Sequence, residues 1–211
     1  MLLAALLALV PLAQKAPPDV CPYCKNDPKI LAAAGLVGHG AMPYGKTNSD
    51  EVKRFLSYTT PIFLETKHFR IASLLESYKI QENDWKKYEA ELAKLKKQLP
   101  SVTEKIRVLD PWLRLHLYGM RCEERYSRFL DLIKLTDESF PDVKVFGASY
   151  MGAGKYLGMK DKYEVFFHRD QRSFTDFLRE NSGSTTKLTK REHYTARGSL
   201  AVVIPVIDDL R

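Results

Sequence analysis

The apolar positions of this chain follow two rhythms, and the helical one dominates. Between Asp84 and Leu99, the residues Trp85, Tyr88, Leu92, Leu95 and Leu99 recur at three- and four-residue steps, while Lys86, Lys87, Glu89, Glu91, Lys94, Lys96 and Lys97 fill the other side. That spacing predicts an amphipathic helix, and Pro100 closes it. A longer helix is predicted from Pro111 to about Leu135, with Asp110 as N-cap and Pro111 at the first helical position. Its buried stripe is Trp112, Leu115, Tyr118, Cys122, Tyr126, Phe129 and Ile133. Shorter helices are predicted at residues 29–34, entered through Asp27-Pro28 and stopped by Gly35, then from Asn48 or Ser49, and at 173–179. Strands are predicted by β-branched and aromatic content at 62–71, 143–146, 163–167 and 199–207, with 181–191 as a polar connection. The sum is an α+β fold, helix-rich, with a small mixed or antiparallel sheet and one long central helix.

The first residues, MLLAALLALVPLA, carry no charge and are too few to cross a bilayer as a helix. They match the apolar core of a secretory signal peptide, with Ala13 or Ala16 as cleavage positions. The expected organisation is a signal peptide at 1–16, a cysteine-bearing segment at 17–58 and an α+β main domain at 59–211, whose end at Arg211 reads equally as truncated or natural. The expected location is the periplasm or the exterior, with no membrane span in the mature chain. The 211 residues are 45% hydrophobic and 28% charged, which excludes collagen, low-complexity and polytopic membrane classes. A net charge of +7 is spread along the chain, and the lysines of the 84–99 helix read as a solvated face, so no nucleic-acid partner is expected.

Chemistry gathers at Cys21-Pro22-Tyr23-Cys24. In an oxidising compartment the pair is expected first as a structural disulfide between Cys21 and Cys24. The tetrapeptide is also letter for letter similar to the glutaredoxin active site, which keeps a thiol–disulfide oxidoreductase in view. That family, however, places it after a strand and at the mouth of a long helix. Zinc is the third reading. Cys21, Cys24 and His39 have ribbon-like spacing, yet a closed structural site needs a fourth ligand, and the next imidazole, His68, falls in a predicted strand. His116, Met120 and Glu123 share a face of the long helix, where His116 reads as a boundary residue. Gly152-Ala153-Gly154-Lys155 lacks the remainder of a phosphate loop, and no zinc-peptidase or serine-hydrolase motif occurs. No catalytic residue is assigned.

From Phe63 to Val206 the order of elements resembles the region upstream of the zinc helix in secreted gluzincin-type metallopeptidases and their uncharacterised relatives. The residues that carry the likeness are Leu64 to Ile71, then Tyr163 to Phe167 with Asp170 and Phe174 to Leu178, and then Gly198 to Ile204. The resemblance implies a peptidase-like fragment or relative without its metal helix, inactive as a peptidase by itself. The function expected from sequence is therefore an exported structural or binding module, with the thiol oxidoreductase as its alternative.

Overall fold

A computed structural model describes residues 19–140, 154–194 and 196–205. The expected strand at 143–146, the leader at 1–16 and Gly152-Ala153 of the Gly152–Lys155 stretch fall outside these residues. The elements run α1 (Pro28–Ala33), β1 (Leu36–Gly38), β2 (Pro43–Tyr44), β3 (Thr47–Asn48), α2 (Ser49–Phe55), β4 (Ile62–Thr66), β5 (Phe69–Ser73) and β6 (Tyr78–Lys79). They continue with α3 (Trp85–Gln98), β7 (Val108–Leu109), α4 (Pro111–Ile133), β8 (Tyr163–Phe167), α5 (Gln171–Ser182), β9 (Lys190–Tyr194) and β10 (Ser199–Ile204). The α+β class holds. Six strands form one mixed sheet in the order β1-β4-β5-β8-β10-β9, β2-β3 is a small hairpin, and β6-β7 is a short antiparallel pair that brackets α3.

Four helices begin where an acid or amide accepts from their orphan N–H groups, α2 through Asn48. Asp27 accepts from Lys29 and Ile30, Asp110 from Leu113 at 3.0 Å and Asp170 from Ser173 at 2.8 Å. Helix α4 ends at Lys134 in the left-handed region, φ 58°, and α5 at Gly183, φ 65°.

The single strand expected at 62–71 is two. The chain reverses at Lys67-His68, and β4 and β5 pair antiparallel with Leu64 opposite Ile71. Period and composition could not show the reversal, because both halves are apolar on both faces. Each is a nearly continuous buried run, as expected of strands covered by helices on both sides. Strands β5, β8 and β10 are parallel neighbours. The polar connection expected at 181–191 in fact runs into edge strand β9, antiparallel to β10.

Two cores flank the sheet. On one face α3 and α4 pack with α1 over Leu64, Ile71, Val165 and Phe167, and Cys21 and Cys24 belong to this cluster. On the other, α2 and α5 cover Phe63, Ala72, Phe166 and Val203. The 17–58 segment thus contributes side chains to both cores and adds β1 to the sheet beside β4. Helix α4 comes closest to the sheet at Gly119, where a Cβ would stand 2.6 Å from Leu64 Cδ2. On the α5 side, buried Glu164 accepts from the Gly45 N–H at 2.8 Å and pairs with Arg197, which also donates to the Gly45 carbonyl at 2.6 Å. Burial pushes the Glu164 carboxyl up to about 7 even though Arg197 pulls it down.

Candidate metal centre

The cysteine pair sits on a tight turn ahead of α1. Lys25 N–H donates to the Cys21 carbonyl at 2.8 Å and Asp27 N–H to the Cys24 carbonyl at 2.9 Å, with Lys25 and Asn26 both at positive φ. This turn points both sulfurs inward, and both cysteines are completely buried. The Tyr23 N–H faces Cys21 Sγ at 3.4 Å, a donor suited to a thiolate. Tyr23 is itself tied down, because its hydroxyl donates to Asp110, the cap of α4.

His39 follows directly after β1. Its Nδ1 donates to the Phe63 carbonyl in β4 at 2.8 Å, which leaves Nε2 free to ligate and directs it at Cys24 Sγ, 3.0 Å away. That backbone bond orients a metal-binding imidazole and fixes its tautomer. His116 completes the group from the first half of α4, with Nε2 3.1 Å from Cys21 Sγ. The two imidazoles stand edge to face at 5.3 Å, and Trp112, one turn before His116, packs edge-on against His39 at 4.8 Å.

One ligand atom from each of Cys21, Cys24, His39 and His116 lies within 4.8 Å of every other, and all four residues are buried. Bond lengths of roughly 2.3 Å to sulfur and 2.0–2.1 Å to nitrogen place neighbouring ligand atoms of a tetrahedron about 3.3–3.8 Å apart. The sulfur–imidazole separations of 3.0 and 3.1 Å are within about half an ångström of that spacing. The donor set and the orienting bond at His39 both fit a tetrahedral metal ion. A cleft of about 560 Å³ between the α1–β1 connection, α3 and α4 reaches His116 and supplies a way in.

The electrostatics are those of a thiol–thiolate pair. The hydrogen bond from Cys21 holds Cys24 far below the ordinary thiol range against the opposing effect of burial. The same bond, with burial, raises Cys21. Desolvation lowers His116, which keeps it neutral and its lone pair available. Both cysteines are free thiols in this structure, so the disulfide expected between Cys21 and Cys24 is not formed. The same two sulfurs converge on imidazoles instead.

The three sequence-assigned ligands come together, and the fourth is one that sequence reasoning set aside. His116, Met120 and Glu123 line one cleft, as the helical face suggested, but the Glu123 carboxylate does not turn to His116. Glu123 instead binds His68, at 2.6 Å to Nδ1, while Asp137 takes its Nε2 at 3.0 Å. His68 is stacked on Tyr126 at 3.8 Å and stays out of the centre. A signal for His116 did exist. Every residue from Trp112 to Met120 is buried, so an imidazole in that stretch must find a partner. Cys122 lies elsewhere on α4, its thiol pushed up to about 12 by burial, and takes no part. No known protein family, characterised protein or solved structure matches the chain.

Proposed function

We propose that this protein is an exported zinc-binding module whose ion is structural, clamping the N-terminal turn to the sheet and to α4. The observation that carries the reading is the convergence of two thiols and two imidazoles from three separate parts of the chain in a buried pocket. Soft sulfur with borderline nitrogen in a four-ligand tetrahedral set favours zinc among the common divalent ions. Cys21, Cys24, His39 and His116 would hold it, and the ion would supply cross-linking energy to the fold. Four protein ligands leave no position for a reacting water, so the reading is of a binding or structural module and not of a peptidase. The thiol–disulfide alternative rests on the same sulfurs, but their complete burial denies them to a protein disulfide.

The test is metal content of the full chain purified under reducing conditions. One equivalent of zinc is expected, lost in Cys24→Ser and in His116→Ala and retained in Cys122→Ser. A wild-type protein without metal, and with Cys21 and Cys24 joined as a disulfide that turns over insulin, would replace this reading with the redox one.

A further inference from the structure

The half of the sheet that α4 leaves open carries a second site. Helix α4 packs over β4 and β5, and its coverage stops short of β10. Val202 and Ile204 lie opposite Val165 and Phe167 in the parallel β8–β10 pair and share their face, yet they are only half-buried. Their neighbours Ala201 and Val203 face the other way and are buried. A groove of about 820 Å³ runs between these four side chains and the outer flank of α4, where Phe129 and Leu132 are 48% and 77% exposed.

The polar groups around that apolar floor are unbalanced toward positive charge. Lys87, Arg121, Arg125 and Arg128 line the groove, against Glu91 and Glu124. Both acids are already committed, Glu91 to Arg121 and Glu124 to Lys94. At one end stands Tyr118, stacked on Phe167 at 4.0 Å, with its buried hydroxyl turned to the guanidinium of Arg114 one helical turn behind. Arg114 is 4% exposed and donates through Nη1 to the Glu76 carbonyl. No carboxylate forms an ion pair with this guanidinium among the described residues. A buried cation without a carboxylate partner, with a phenol between it and an apolar groove, favours an anion at that end of the groove.

We propose that the groove binds a free long-chain carboxylate. The head group accepts from Tyr118 and sits in the field of Arg114, and the alkyl chain lies along Val165, Val202 and Ile204 toward Leu132. Apolar area gives the affinity, and the Tyr118 hydroxyl with the Arg114 charge behind it selects the charge and sets the direction of the chain.

Binding is measured by calorimetry on the full, delipidated chain with octanoate, decanoate and dodecanoate. Affinity is expected to rise by up to about fourfold per added methylene. Dodecanol and dodecyltrimethylammonium should bind dodecanoate's site at least tenfold more weakly. Tyr118→Phe, which keeps the ring against Phe167, should weaken dodecanoate about tenfold or more. Val202→Glu, at a half-exposed position, should abolish binding while the near-ultraviolet spectrum stays native. Equal affinity for the three head groups, or dodecanoate binding unchanged in both variants, overturns the proposal. So does capture by phosphatidylglycerol vesicles with no binding of free dodecanoate, which would assign the face to a membrane surface.

Discussion

Replacing His116 by alanine tests the metal clamp through a quantity that can be worked out beforehand. The contact between Cys21 and His116 spans 95 residues of chain, and that between Cys24 and His39 spans 15. Treated as a cross-link, closing the long loop removes unfolded-state entropy worth about 4.7 kcal/mol, and closing the short one about 3 kcal/mol. His116 is the only ligand that makes the long closure. With zinc present, wild type should therefore lose about 5 kcal/mol or more on addition of a strong chelator, which is roughly 10–20 °C in Tm for a chain of this size. His116→Ala, which no longer holds the ion, should show no chelator-dependent loss. Removal of the ring also disturbs packing against Tyr23 and His39, so the comparison is a four-cornered one. Urea melts of both proteins, each with zinc and with chelator, isolate the metal-dependent difference from the packing loss. An equal chelator response in the two proteins would refute the reasoning, as would wild-type stability that ignores chelator altogether.

Other predictions follow from the packing around that centre and from the buried charges. Gly119→Ala gains about 1 kcal/mol of helix propensity, but its methyl would meet buried Leu64 at 2.6 Å. Overpacking costs about 1–3 kcal/mol, so a net loss in urea melts is expected, together with weaker zinc binding as α4 moves His116 off the sheet. Glu164 is raised from 4.5 to about 7 by burial, so the folded state holds the extra proton. Its contribution is fully present below pH 4.5 and is lost as pH rises to 7, by about 3 kcal/mol. Glu164→Gln should flatten that fall, and parallel pH–stability curves for the two proteins would contradict it. His68 behaves in the same direction for the opposite reason. Burial works against its charge, but Glu123 and Asp137, with Lys67 also on Asp137, raise its pKa on balance. The stability gap between wild type and His68→Gln should be widest below pH 6.5 and close as pH rises through the raised value. A gap independent of pH in denaturant titrations would argue that the ring only packs.

Local physics made much of this architecture readable before any coordinates. The caps at Asp27 and Asp110 and the stripe from Trp112 to Tyr126 set the helices nearly where they lie, because each signal depends on neighbours within a turn. The hairpin at Lys67-His68 and the edge strand β9 were not readable. Strand reversal and edge pairing depend on partners far along the chain, and β9 carries Lys190, Arg191 and Glu192 where a buried strand would be apolar. The site shows the same division. Cys21, Cys24 and His39 lie within one short stretch, and their spacing pointed to metal chemistry. His116 is separated from them by most of the first half of the chain, and only the packing of α4 on the sheet brings it there. The disulfide expectation arose from the same gap. Two cysteines and one histidine without a visible fourth ligand left the cysteines reading as a pair, and the missing imidazole is what alters their chemistry.

The ends of the strand order carry a consequence for assembly. At one rim β1 offers three residues and shifts register against β4. At the other, β9 opens with three charged side chains, Lys190, Arg191 and Glu192. Short length and charge are the two commonest defences against unwanted strand addition, and this protein uses one at each rim. Polymerisation by edge-on zippering is thereby discouraged on both sides, and any companion must approach broadside, across the faces of the β-structure.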